Sequence, residues 1–296
     1  CLECGFIKNC KRCAVAMTFH QTDNRLHCHY CESIENVLLV CNECASENIE
    51  CVGFGTQRVE DILGNQFPGI KILRMDMDSV RKRGAYEKIL LKFHNAEADV
   101  LLGTQMIAKG LDFENVTLVG VINADTGLFF PDFRSGERVF QLIYQVAGRA
   151  GRRQKPGQAI IQTYNPDDVY IKAAASMNVK KFYNIALAQR QELNYPPFSR
   201  IGRILFSGSD KNTVNNVAQK ICSELYGNSD YKILGPASAP LEKIQDMWRS
   251  HLIIKSMDKQ KGRIHQFIYE NIGFSIFERS NNGVRIQVDI DPVSMM

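Results

Sequence analysis

Eight of the ten cysteines in this 296-residue chain fall in four Cys-x-x-Cys pairs within the first fifty residues: Cys1/Cys4, Cys10/Cys13, Cys28/Cys31 and Cys41/Cys44. Two thiolates three positions apart on a tight turn can share one tetrahedral ion, and a second such turn completes a closed site. Eight cysteines therefore point to two structural zinc ions. A disulfide framework is the competing use of so many cysteines, but no secretory signal precedes them, and a redox Cys-x-x-Cys needs one pair and a βαβ context. Spacing leaves open which pairs share an ion. Loop closure favours neighbouring pairs, whereas Cys10/Cys13 and Cys28/Cys31 bracket a segment with hairpin character, its turn at Asp23-Asn24, close to zinc-ribbon spacing. Cys51 and Cys222 stand outside the pairs and are expected as buried apolar thiols.

A second chemical signal lies at residues 141–152, QLIYQVAGRAGR, where an apolar helical run ends in Arg149 and Arg152 separated by small residues. Guanidinium forks make bidentate contacts with phosphate oxygens and stay charged at any working pH, and Gly148, Ala150 and Gly151 admit a close backbone approach. A basic helix end that merely complements its dipole is the plainer reading. Upstream, residues 98–112, ADVLLGTQMIAKGLD, read as a buried strand that breaks at Gly103 into a polar loop, followed by a short helical segment stopping at Gly110 before Asp112. Strand, glycine turn and helix make a phosphate-cradling geometry.

The elements needed to position these groups are legible. Strand-like runs near Cys51–Gly55, Lys71–Asp76, Asp99–Gly103, Thr117–Asn123 and Ala159–Tyr164 alternate with amphipathic segments Val59–Phe67, Tyr86–His94 and Val139–Ala147. That alternation predicts an α/β lobe with a mainly parallel sheet covered on both faces. The pattern turns helical from Asp167 to Leu193 and ends at Pro196-Pro197. Beyond it the expected order is strand 200–207, helix 211–226, strand 231–235, strand 248–256, helix 261–272 and strand 284–290, a small α+β (βαββαβ) domain. Three regions follow: a two-zinc cysteine-rich module over 1–50, an α/β lobe over 51–194 and the α+β domain over 195–296. With 45% apolar residues the chain can bury ordinary cores. No apolar run is long enough to cross a membrane. The net charge of +4 makes the surface no general polyanion trap, so any nucleic-acid affinity must come from local basic clusters.

The order GTQMIAKGLDF, then about thirty residues later QVAGRAGR, resembles motifs V and VI of superfamily 2 helicases. Together with the eight-cysteine module ahead of it, FFPDFRSGER, YPPF and GPASAPLEK, it resembles the primosomal protein N′ family of bacterial replication-restart helicases along essentially the whole chain. The resemblance implies that the α/β lobe is the second RecA-like helicase lobe of a 3′-to-5′ DNA helicase that restarts stalled forks and assembles the primosome in the bacterial cytoplasm. Arg149 and Arg152 would reach the γ-phosphate of ATP, Gln145 would position phosphate or attacking water, and Gly110 and Asp112 would hold the nucleotide. Thr56, Gly103, Thr104 and Gln105 would contact DNA. The family pattern also implies a nested zinc pairing, Cys1, Cys4, Cys41 and Cys44 around one ion and Cys10, Cys13, Cys28 and Cys31 around the other, without His20, His27 or His29. Implied partners are branched and single-stranded DNA, single-stranded DNA-binding protein and other primosome proteins, with Trp248, Arg249, Arg263 and Gln266 as surface contributors. ATP and Mg²⁺ belong to the full-length protein, because neither the GxxxxGK[ST] phosphate loop nor the DExH acid pair occurs in this sequence. The chain accordingly reads as the carboxy-terminal part of such a protein. The alternative reading is a zinc-dependent DNA-binding and protein-assembly module without ATPase activity of its own.

Overall fold

The computed structural model describes the chain except residues 21–22, 52–54, 77–78, 81–83, 105–106, 108–112, 114, 149, 151–156, 228, 257–262 and 280–282, and for 274–279 it describes the backbone alone. It is a mixed α/β structure that divides into two compact units, Cys1–Cys51 with Leu187–Met296, and Val52–Ala186. None of the described helices is long and apolar enough to cross a membrane.

In the first unit, β1 (Thr18–His20), β2 (Arg25–His27) and β3 (Ile34–Asn36) form a three-stranded antiparallel sheet, with Phe19 opposite Leu26 and Leu26 opposite Glu35. Asn24 turns β1 into β2 with a left-handed φ of 55°, a conformation asparagine tolerates better than most residues. So little apolar surface is enclosed here that the cysteines themselves, with Val15 and Met17, make the local core.

The rest of this unit is a four-stranded antiparallel sheet, ordered β11 (Val284–Ile290), β8 (Ile201–Gly208), β10 (Met247–Ser256), β9 (Tyr231–Ile244). Its core joins Ile204, Phe206, Leu252 and Ile254 to two helices. α6 (Lys211–Leu225) contributes Val214, Ala218, Ile221, Cys222 and Leu225, a spacing that holds one helical face. Its first turn is capped by Asp210, whose carboxylate accepts the Thr213 N–H at 2.7 Å and the Thr213 hydroxyl at 2.8 Å. α7 (Ile264–Arg279) adds Ile264, Phe267, Ile268 and Ile272, and Phe267 stacks on Tyr231 with centroids 4.0 Å apart. Strand β9 is far longer than the expected 231–235. It runs on through Pro236 and Pro240, which is possible because β9 lies at a sheet edge, where a missing N–H breaks no ladder.

In the second unit the described strands form two parallel pairs, β4 (Ile72–Met75) with β5 (Val100–Gly103) and β6 (Leu118–Val121) with β7 (Gln158–Ile161). The expectation of one mainly parallel sheet is met in strand direction, while the pairs stay separate among the described residues. The expected strand at Cys51–Gly55 falls largely on residues 52–54, outside those described. Helices α1 (Thr56–Gln66), α2 (Ala85–His94) and α3 (Ser135–Ala147) occupy the three amphipathic segments. The helical stretch from Asp167 resolves into α4 (Val169–Ala175) and α5 (Val179–Glu192), broken where Met177 turns left-handed at φ 50°. Val139, Phe140 and Ile143 of α3 pack on Tyr170, Ile171, Ala174 and Phe182, with Phe140 and Phe182 stacked at 3.9 Å.

One buried carboxylate organises the turn after β6. Asp125 accepts the Tyr164 N–H at 2.8 Å, the Thr163 hydroxyl at 3.0 Å and the Asn165 amide at 2.7 Å. Burial alone would raise its pKa, but the Asn165, Tyr164 and Thr163 donors outweigh burial and hold it below the ordinary carboxylate value. A depressed folded-state pKa adds stability that is present above the unfolded value near 4 and is lost as pH falls through the folded one. Asp125→Ala should therefore cost about 1–3 kcal/mol at neutral pH. The gap to the parent chain, measured by urea unfolding, should narrow once the pH drops below about 4. An equal gap at pH 7 and pH 3 would refute the assignment.

Candidate metal centres and nucleotide-site residues

The nested turns bring the eight paired cysteines into two groups, Cys1, Cys4, Cys41 and Cys44 in one and Cys10, Cys13, Cys28 and Cys31 in the other, with all four sulfurs of each group within 4.8 Å of one another. Neighbouring pairs do not share a group. Folding β1 back on β2 carries Cys28/Cys31 to Cys10/Cys13, and β3 then returns the chain so that the outer pairs meet. Cys10 and Cys31 sulfurs lie 3.5 Å apart, and Cys1–Cys44 and Cys4–Cys41 each 3.6 Å. A tetrahedron with Zn–S bonds of 2.3 Å has edges of about 3.8 Å, so the donor set and its spacing fit zinc. Four thiolates leave no open position for substrate or water, which makes both centres structural.

The two groups differ in exposure. Cys10, Cys13 and Cys28 of the inner group are buried, whereas Cys4 and Cys44 of the outer group are exposed. Burial pushes the Cys13 thiol up to about 12, while the Ser33 hydroxyl, 3.0 Å from the Cys31 sulfur, leads the contacts that lower Cys31 to about 6. In the outer group the Cys44 N–H leads those that lower Cys41 to about 7. Bound zinc would deprotonate the four cysteines of each group, since a coordinating thiol ionises outright. His20, His27 and His29 cluster beside the inner group, with His20 centroids 4.3 Å from His27 and 5.2 Å from His29, and His27 Nε2 lies 2.7 Å from Asp23 Oδ2. Cys222 is buried as expected, and burial raises its pKa. Cys51 is instead exposed, at the end of the module and in none of the apolar clusters of the described residues.

Of the residues assigned to nucleotide and DNA, Arg149, Arg152, Gly110, Asp112 and Gln105 lie outside the described residues. Gln145 is exposed on α3, away from the buried Val139, Phe140 and Ile143. Thr56 opens α1 and donates its hydroxyl to Asp76 Oδ2 at 2.6 Å, tying the helix start to the end of β4. Gly103 ends β5 with no room for a side chain: a Cβ there would meet Met75 O at 2.3 Å and Ile107 Cγ2 at 2.9 Å. Its glycine is thus demanded by strand packing. The neighbouring Thr104 is exposed, and its carbonyl accepts the Ile107 N–H at 3.1 Å.

In the carboxy-terminal region, Trp248 lies between two ammonium groups, Lys211 at 4.8 Å and Lys243 at 5.3 Å from its ring. Arg249 is half-buried and donates to Leu241 O at 3.3 Å, Arg263 is exposed, and Gln266 bonds Glu270 on its own helix at 2.6 Å. Two groups escaped the reading of the sequence. Asp132, its side chain fully buried, holds Arg138 at 2.9 Å, and the β9–β10 turn contacts the inner cysteine group. Asp132 and Arg138 fall within the FFPDFRSGER motif, but their pairing and the docking of the β9–β10 turn carry no periodicity that would have marked them.

A zinc-ribbon-like cysteine module joined to a mixed α/β chain defines a metal-stapled protein with an appended α+β domain. Residues 10–35 match the family model for the cysteine-rich region of PriA DNA helicase, and residues 191–293 match that for the primosomal protein N C-terminal domain. Along its whole length the chain is similar to the carboxy-terminal part of PriA replication restart proteins. It is 43% identical over 298 residues to the replication restart protein PriA of Bacillus subtilis, 38% over 303 residues to that of Synechocystis, and 35% over 302 residues to that of Borreliella burgdorferi. Each of these alignments takes in 100% of this chain and 37%, 35% and 44% of the respective relative, so the chain spans well under half the length of the relatives it matches.

Proposed function

We propose that this chain is the carboxy-terminal part of an ATP-dependent 3′-to-5′ DNA helicase that restarts stalled replication forks and assembles the primosome. The observation that carries this reading is similarity to replication restart proteins along the full chain, with helicase-like motifs between the cysteine module and the carboxy-terminal domain. In it, residues 51–194 act as the second RecA-like lobe, flanked by the two-zinc module (1–50) and the βαββαβ domain (195–296). Zinc staples the module and supplies no catalysis. Arg149 and Arg152 stabilise charge developing on the transferred phosphoryl group, Gln145 orients the attacking water, and Gly110 and Asp112 hold the nucleotide. Thr56, Gly103, Thr104 and Gln105 grip the DNA backbone without reading bases. The Asp23-Asn24 hairpin, anchored at its base by the inner metal, separates strands, and the carboxy-terminal domain meets branched DNA and single-stranded DNA-binding protein in the bacterial cytoplasm.

One feature favours a narrower reading for the 296 residues alone: they contain no phosphate loop and no DExH acids, so by themselves they act as a zinc-dependent DNA-binding and assembly module. The chain alone should show no DNA-stimulated ATP hydrolysis. Full-length protein should hydrolyse ATP on DNA and displace a strand while moving 3′ to 5′. Opposite polarity, or hydrolysis by the chain alone, would overturn the proposal.

A further inference from the structure

The four Cys-x-x-Cys turns share one hydrogen bond and differ in another. In each, the nitrogen of the first cysteine donates to the carbonyl five residues on: Cys1 to Phe6, Cys10 to Val15, Cys28 to Ser33 and Cys41 to Ser46, at 2.8–2.9 Å. In three of them the residue after the second cysteine is left-handed, Gly5 at φ 74°, Glu32 at 60° and Ala45 at 56°. These three return their own N–H to the carbonyl of the first cysteine at 2.9–3.0 Å, closing the turn on itself. The Cys10–Cys13 turn is built otherwise. Ala14 is not left-handed, and its N–H goes to Lys243 O at 2.9 Å, more than two hundred residues away in sequence.

What closes that turn is the tip of the β9–β10 hairpin. Gln245 and Asp246 are both left-handed, φ 50° and 66°, and lie between the paired residues Ile244 and Met247, the geometry of a tight two-residue hairpin turn. The Gln245 N–H donates to Cys13 Sγ at 3.2 Å, and the Asp246 N–H to Arg12 O at 2.8 Å. Lys243 Nζ reaches Lys11 O at 3.1 Å, and the Gln245 side chain reaches Tyr30 O at 2.8 Å, the residue before Cys31. Arg12 and Asp246 form an ion pair at 2.7 Å, and Ile244 packs against Cys10, Cys13 and Cys28.

We propose that the β9–β10 hairpin tip is the outer shell of the inner metal site, so that metal binding at Cys10, Cys13, Cys28 and Cys31 and docking of the tip stabilise each other. Four thiolates around a divalent ion carry a net charge of −2. The Gln245 N–H points at one of those sulfurs, as groups around bound metals do when they orient ligands and strengthen binding, while Lys243 fastens the tip to the backbone of the Cys10–Cys13 turn. Coupling of this kind is reciprocal: whatever the tip adds to metal affinity, the metal adds to docking of the tip. The outer site, whose two turns close on themselves, is independent of the hairpin. This inference rests on the metal reading alone and not on the helicase reading.

Inserting two glycines between Gln245 and Asp246 displaces the tip while leaving both strands and every cysteine in place. One of the two metals should then pass to a chromophoric chelator about 10- to 100-fold faster than in the parent chain, the other at its native rate. In the cadmium-113-substituted parent chain, one of the two metal resonances should couple through the hydrogen bond to the Gln245 amide proton. Amide exchange at Ala14, Gln245 and Asp246 of the parent chain should rise when metal is stripped, a readout that stands even if the insertion prevents folding. Native release of both metals from a folded variant, or unchanged exchange at the tip after stripping, overturns the coupling. Fewer than two metals in the parent chain would instead overturn the metal reading itself, and that is seen before any variant is made.

Discussion

Replacing Cys28 by serine should lower bound zinc from two ions per chain to one and unfold the small antiparallel sheet around it. Cys28 is 1% exposed and shares its group with Cys10, Cys13 and Cys31. The strands it anchors are three residues each, too short to hold together by pairing alone. Structural zinc supplies on the order of 10–16 kcal/mol in small metal-folded domains, more than a sheet of this size obtains from packing. Exposed Cys51 lies outside both groups, so Cys51→Ser should keep two zincs and change stability by no more than about 0.5 kcal/mol. Elemental analysis of reduced protein, read beside exchange protection of β1 to β3, checks both variants. Two zincs in the Cys28→Ser protein, or protection that survives zinc loss, would refute the structural role.

In a full-length protein that carries the first helicase lobe, Arg152→Ala should lower DNA-stimulated ATP hydrolysis by about 10³- to 10⁵-fold, the range over which arginine fingers act. Affinity for single-stranded DNA should change little, because the proposed arginine meets charge that develops only in the transition state. Lysine at the same position should rescue poorly, since an ammonium cannot reproduce the bidentate fork. Single-turnover hydrolysis and DNA titration on the same preparation separate the two effects. Near-normal hydrolysis by Arg152→Ala would transfer the role to Arg149, and parallel loss of hydrolysis and DNA binding would make Arg152 a DNA contact.

Local chemistry along the chain was enough to find the eight cysteines that gather into two four-sulfur groups, the hairpin turn at Asn24 and the helices α1, α2 and α3. Each depends on neighbours within a few residues: a Cys-x-x-Cys turn, an asparagine that accepts a left-handed φ, an apolar face recurring every three or four positions. The same locality explains the failures. Strand β9 runs past Pro236 and Pro240 to Ile244, well beyond the expected 231–235, and only the sheet order shows that it lies at an edge, where a missing N–H breaks no ladder. Cys51 reads as an inside residue because free cysteines usually pack as small hydrophobes, but burial depends on what surrounds a residue, and among the described residues Cys51 joins no apolar cluster and is exposed. Loop-closure entropy favoured sharing between neighbouring cysteine pairs, and the nested alternative suggested by zinc-ribbon spacing and by family resemblance is the one the fold assembles. Spacing in the sequence thus determined that two four-cysteine sites could form. Only the tertiary structure decided that Ala14 and Cys13 bond a hairpin more than two hundred residues away, because backbone N–H and carbonyl groups are alike at every position and are told apart only by what folding brings within 3 Å of them.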